Sequence, residues 1–166
     1  ILSSLIRKDP EKSQKFIDVF SSVYRYTLDV IDKPVVTLRE EIEFAKAYLY
    51  LQRLRFEEAV IFELDLFEDN VNLYLPPLAL QVLLENAFKH NMATNESPLK
   101  ITIYATKKSY CLYVKNNIQY KSSMNTSRGL GLDNLKHRYE LISEELPEIK
   151  INKNEYIVKL PLLKAI

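Results

Sequence analysis

Glycine is almost missing from this chain, which has two in 166 residues, Gly129 and Gly131. Other scarcities narrow the class of protein. The single cysteine, Cys111, lies in a strand-like run, so no disulfide framework is available. Two histidines do not furnish a zinc site. Neither sign of charge dominates: 23 basic and 22 acidic residues leave a net +1, without the basic footprint of a nucleic-acid binder. No apolar run approaches the length needed to cross a bilayer, and no signal-peptide pattern is present. A reducing, cytoplasmic setting fits these absences. The chain does not start with Met, and Ile-Leu-Ser-Ser-Leu-Ile6 reads like the middle of a helix, so the expectation is a fragment of a longer protein.

What is present suffices for one substantial core, since 47% of the residues are hydrophobic. The two glycines fall in one stretch, Arg128-Gly-Leu-Gly-Leu132, at the start of an amphipathic segment. Backbone without a Cβ at a helix start suits close approach to a ligand, and phosphate is the ligand that a helix N-terminus favours. Tight packing is the alternative reading of the same pair. A second motif, Leu80-Gln-Val-Leu-Leu-Glu-Asn-Ala-Phe-Lys-His-Asn91, follows Leu75-Pro-Pro-Leu78 and reads as a helix with Pro in its first turn. Leu80, Leu83, Leu84, Ala87 and Phe88 form its apolar stripe, and Glu85, Asn86, Lys89 and His90 are expected along one rim. That set of groups suits a hydrated Mg²⁺ and a polyphosphate, with one Asn oxygen as a sufficient protein ligand. The alternative is a solvated helix face.

Along the chain, Asp9-Pro10 starts a helix that should run to about Ile31, with Ile17, Phe20, Tyr24, Leu28 and Ile31 as its apolar stripe. Thr37-Leu-Arg-Glu40 is a capping box that opens a second helix to about Glu58, with Leu38, Ile42, Ala45, Leu49 and Phe56 inward. These stripes face either the core or a partner chain. A strand follows with Val60, Phe62, Leu64 and Leu66 on one face. After the Leu80–Asn91 helix, strands at 99–106 and 110–117 alternate with period two. A glycine-free loop, Gln119 to Arg128, leads to a helix bearing Leu132, Leu135, Leu141 and Ile142, and a hairpin from Ile149 to Leu162 closes the chain. This order predicts an α/β fold in two layers, a mixed sheet covered by helices on one face.

Leu78 to Asn91 resembles the N box, and Arg128 to Leu141 the glycine-rich G box, of the histidine-kinase branch of the GHKL (Bergerat) ATP-binding fold. Tyr48-Leu-Tyr-Leu-Gln-Arg-Leu-Arg-Phe56 and Pro76-Pro-Leu-Ala-Leu-Gln81 resemble the narrower family of LytS-like sensor kinases. The resemblance covers about residues 36–162. It implies a helical extension over 1–58 and a GHKL ATP-binding catalytic domain over 59–166, with the phosphoacceptor histidine upstream of the chain.

The resemblance also implies the site. Asn86 would hold Mg²⁺, Glu85 would act as a base on the incoming imidazole, and Lys89 and His90 would face the phosphates. The position whose Asp accepts from the adenine amino group in this fold is Asn116, whose neutral acceptor lacks that charge. Ser127 and Arg128 stand as lid ligands of the phosphates, and the amides of Gly129, Leu130, Gly131 and Leu132 as their cradle. Ile118 and the glycine-free lid depart from the family pattern. For Glu85 the competing role is an i, i+4 partner of Lys89. The implied function is transfer of the γ-phosphoryl of MgATP to a histidine and on to a cytoplasmic response regulator, in a homodimeric inner-membrane sensor. The alternatives are a nucleotide-binding module without catalysis and a GHKL ATPase in which Glu85 activates water.

Overall fold

The computed structural model describes residues 6–106, 110–120 and 130–164. Helix α1 spans Pro10–Val30. Asp9 caps it by accepting the Lys12 amide at 3.0 Å, and Pro10 takes the first position, where no amide donor is needed. Of the two options that the sequence leaves for its apolar stripe, α1 does not take the core: it turns another face to its neighbour. Ser13 and Val30 are its buried residues, and Tyr26 packs against Phe44 with ring centroids 5.2 Å apart. Ile17, Phe20, Tyr24, Leu28 and Ile31 all remain exposed. The helix is therefore apolar on two sides.

Helix α2 (Leu38–Phe56) begins at the expected capping box, in which Glu40 N donates to Thr37 Oγ1 (3.2 Å) and Thr37 N to Glu40 Oε2 (2.8 Å). It buries Leu38, Ile42, Ala45 and Leu49 in the same core as the sheet, although the sequence reading grouped it with the extension. Strands β1 (Val36–Thr37) and β3 (Tyr74–Leu75) form a small antiparallel pair beside it.

The main sheet contains β2 (Val60–Asp65), β4 (Leu99–Ala105), β5 (Cys111–Asn117), β6 (Glu148–Ile151) and β7 (Glu155–Pro161), in the order β2-β4-β5-β7-β6. Strands β2 and β4 are parallel, and the other neighbours are antiparallel. Helix α3 (Ala79–His90) lies in the chain between the two parallel strands, as such a crossover requires. Helix α4 (Leu130–Glu140) lies between β5 and β6. The alternation is clean: Leu99, Ile101, Ile103, Leu112, Val114, Val158 and Leu160 point into one core with Leu80, Leu84, Leu135 and Tyr139 of the helices. The opposite face is polar and aromatic. It carries the stacked Tyr104–Tyr113 pair and the Lys115–Glu155 ion pair at 3.0 Å. The fold is thus a mixed sheet with its helices on one side, as expected. Leu64 departs from its predicted place, because it lies near the end of edge strand β2 and is 37% exposed.

Candidate functional site

Helix α3 and the C-terminal end of β5 border a cleft of about 260 Å³. From α3 come Asn86 and His90, and from β5 comes Asn116. The period-two phase of β5 places Asn116 on the helix side with Leu112 and Val114, where it is 6% exposed. Its Nδ2 donates to Asn117 O at 2.8 Å, which orients the carboxamide with its oxygen as the acceptor end. Asn86 Nδ2 is buried and has no hydrogen-bond partner among the described residues. Buried polar atoms are nearly always satisfied, so an unspent carboxamide at a cleft is a reason to look for a ligand there. Ile118, Leu132 and Tyr156 supply apolar wall.

The remaining candidates do not share that cleft. Glu85 and Gly131 line an adjoining groove of about 180 Å³ with Gln81, Val82 and Arg138. Glu85 accepts from Gln81 Nε2 at 2.8 Å, and it pairs with that residue rather than with Lys89. Burial, and after it the nearby charge of Glu85, pushes the pKa of the Tyr48 hydroxyl up to about 12. Lys89 is exposed and borders neither space. The single expected rim is divided because Glu85 and Lys89 share one side of α3, while Asn86 and His90 share the next.

The glycine motif is likewise divided. Leu130 is 73% exposed, and Gly131 lies inside α4, where an added Cβ would stand 3.2 Å from Val82 Cγ1. That contact gives Gly131 a packing reason, since the absent side chain lets α4 approach α3. Leu132 does reach the main cleft. Ser127, Arg128 and Gly129 lie outside the described residues. Pro76 and Pro77 precede α3 instead of occupying its first turn, and the N-cap, Leu78, is left-handed at φ 62°.

A family model described as histidine kinase matches residues 1–60. Over 113 residues the chain is 31% identical to the sensor protein LytS of Enterococcus faecalis, covering 68% of this chain and 19% of that protein. It is 32% identical over 126 residues to the sensor histidine kinase YesM of Bacillus subtilis, covering 72% of this chain and 22% of that protein. This chain belongs to the histidine kinase family. Within the family it is similar to the LytS-like sensors, as the ordered motifs indicated, and it spans about a fifth of the length of these relatives. Among solved structures, the cytoplasmic segment of histidine kinase QseC is similar with a TM-score of 0.55 at 15% identity, covering 93% of this chain and 95% of that one. The catalytic domain of histidine kinase ThkA gives 0.51 at 17% identity, covering 76% and 93%. At those identities the likeness is one of fold.

Two residues of this histidine kinase chain escaped the sequence reading. Asn91 ends α3 with its Nδ2 on Ala87 O (2.9 Å), while its Oδ1 accepts from Gln119 N (2.8 Å), which ties the helix to the segment leaving β5. The other is Glu41, a carboxylate at an inward position of α2 that is 0% exposed. Burial holds it above the ordinary carboxylate range, against the pull of its hydrogen bonds from Leu80 N, Tyr26 Oη and Leu78 N. An acid in phase with Leu38, Ile42 and Ala45 was the available signal.

Proposed function

We propose that this chain binds MgATP in the cleft between Asn86 and Asn116 and forms the catalytic portion of a sensor histidine kinase. The γ-phosphoryl passes to a histidine outside the chain and from there to an aspartate of a response regulator. The observation that carries this reading is the half-buried carboxamide of Asn86, whose Nδ2 is buried without a partner, in the same cleft as the helix-facing Asn116. The donor chemistry fits Mg²⁺, which takes hard oxygen ligands and keeps several waters. Among the described residues no group of three or more His, Cys, Asp or Glu is placed to hold a metal, so the Asn86 oxygen with phosphate oxygens makes the donor set. When bound, Mg²⁺ neutralises phosphate charge.

The protein's share in phosphoryl transfer is positioning and charge stabilisation. Asn116 accepts from the adenine amine, and the apolar faces of Ile118, Leu132 and Tyr156 exclude water from the ring. The phosphates extend towards His90 and the start of α4, where the amides of Leu130 and Gly131 meet negative charge at a helix N-terminus, and Ser127, Arg128 and Gly129 are proposed as further phosphate ligands from the sequence motif alone. Lys89 adds a positive charge from the exposed side, and Glu85, solvent-facing on the adjoining groove, polarises the incoming imidazole. A second copy of the chain pairs through the exposed stripe of α1, on the cytoplasmic side of a membrane sensor. Among the described residues no helix is long and apolar enough to cross a membrane.

A nucleotide-binding signalling module without catalysis is the second reading, favoured by the neutral side chain of Asn116. Calorimetric titration with ATP, with and without Mg²⁺, tests the site. Asn86→Ala is expected to remove the Mg²⁺-dependent part of the affinity, and Asn116→Ala to weaken binding in both conditions. Identical affinities for all three proteins refute the site. Transfer of the γ-phosphoryl to the full-length protein separates the kinase from the silent module.

A further inference from the structure

Glu41 is the only buried acidic residue among the described residues, and its hydrogen bonds connect three helices. Its Oε1 accepts from Tyr26 Oη of α1 at 2.8 Å and from Leu78 N at 2.7 Å, and its Oε2 accepts from Leu80 N at 2.9 Å. Both amides belong to the start of α3, which has no capping side chain of its own. An external carboxylate is a fitting substitute, since it satisfies orphan donors and meets the positive end of the helix dipole. Leu78 also carries a φ of 62°, a left-handed backbone that leucine adopts only when its surroundings impose it. From the other side Arg138 of α4 donates to Pro77 O at 2.9 Å. The turn before α3 is thus pinned by α2 and α4 together.

The link to α1 is of a different kind. Of α1 only Ser13 and Val30 are buried, so this helix is lightly held, and Tyr26 carries its hydrogen bond to the buried carboxylate. Asn86 lies on the helix that begins at this point, fewer than two turns after Leu80. A helix is stiff over such a distance, so a shift at its first turn is passed to the cleft.

We infer that Glu41 is a positioning residue of the nucleotide site, which with the Tyr26 hydroxyl sets the start of α3, and hence the placement of Asn86, according to where α1 lies. The inference rests on the cleft binding nucleotide, as proposed above. Glu41 touches no reacting atom. Its effect reaches the site through α3, and the position of α1 biases nucleotide affinity through the Tyr26–Glu41 bond.

Two variants of this chain test it. Tyr26→Phe removes one hydroxyl while the ring keeps its place against Phe44, and the two amide bonds to Glu41 stay. Glu41→Gln replaces one acceptor oxygen by a donor that must face an N–H or the Tyr26 hydroxyl. MgATP affinity by calorimetry, thermal unfolding and the amide nuclear magnetic resonance spectrum are measured for each, well below its unfolding midpoint. The expected losses of affinity are about threefold for Tyr26→Phe and about tenfold for Glu41→Gln. In Tyr26→Phe the Asn86 resonances are expected to move without nucleotide. A lowered midpoint with wild-type affinity and unmoved Asn86 resonances makes the bond merely structural and overturns the inference. If Glu41→Gln does not fold, Tyr26→Phe decides alone. If the wild-type chain binds no MgATP, the nucleotide reading falls separately; unmoved Asn86 resonances then overturn the link to α1, and moved ones sustain it.

Discussion

Replacing Asn116 by Asp sets two effects of opposite sign against each other at one buried point. In the free chain Asn116 Nδ2 donates to Asn117 O at 2.8 Å, and the residue is 6% exposed. An ionised Asp sets an oxygen in place of that nitrogen, facing a carbonyl oxygen with little water to separate them. A buried acceptor left unsatisfied costs about 1–3 kcal/mol, and more when it is charged. The gain is a charge-assisted bond to an adenine amine, worth roughly a further 1 kcal/mol and present only with nucleotide bound. In the free protein the penalty wins. Its pH dependence follows from the same contact. Burial and the facing carbonyl both favour the protonated carboxyl, so its folded pKa stands above the unfolded value of about 3.9. A group whose folded pKa is raised contributes stability that is complete below the unfolded pKa and lost as pH rises through the folded one. Protonated, its O–H donates to Asn117 O as Nδ2 did. Urea unfolding of both proteins across pH should therefore show a deficit of about 2 kcal/mol near pH 8 that shrinks to within about 0.5 kcal/mol near pH 4. A deficit equal at both pH values, or absent at pH 8, refutes the reasoning. Saturating ATP should narrow the gap at pH 8, because the bond from the adenine amine is charge-assisted in the ionised Asp and neutral in Asn.

Gly131→Ile should cost about 1–3 kcal/mol, because a Cβ there meets Val82 Cγ1 at 3.2 Å, and most of that cost should vanish in a Val82→Ala background. Thermal unfolding of the four proteins of the cycle checks this, and an equal cost in both backgrounds removes the packing explanation of the glycine. Tyr139 is 0% exposed and donates to Pro161 O at 2.9 Å, so Tyr139→Phe leaves that carbonyl unsatisfied. A loss of about 1–2 kcal/mol in denaturant unfolding is expected, and a value near zero would mean that the carbonyl finds another donor.

Features that depend on near neighbours in the chain were legible. Asp9 with Pro10 and Thr37 with Glu40 announce their helices because both partners of each cap lie within a turn, and both starts are found where expected. Alternation in β5 was enough to turn Asn116 towards the helices. What escaped depends on distant contacts. Nothing local to Leu78 signals a left-handed residue; Glu41 and Arg138 stabilise that turn from other helices. The choice between the two apolar sides of α1 is made by Phe44 and Glu41 of α2, which the periodicity of α1 does not encode. Gly131 is explained by Val82, a residue on another helix.

The pairing of Asn116 with Tyr156 across β5 and β7 bears on the order of folding. Strands β6 and β7 meet through a short turn in which Asn152 Oδ1 accepts the amides of Asn154 and Glu155, so they close early, as do β4 and β5. Joining β5 to β7, and Val60 of β2 to Leu99 of β4, closes much longer stretches of chain and comes later. Because Asn116 and Tyr156, side by side in the sheet, both line one cleft, that lining does not exist in either hairpin alone. During refolding, whatever binds there appears only with the final joining of the sheet, and its binding signal times that event.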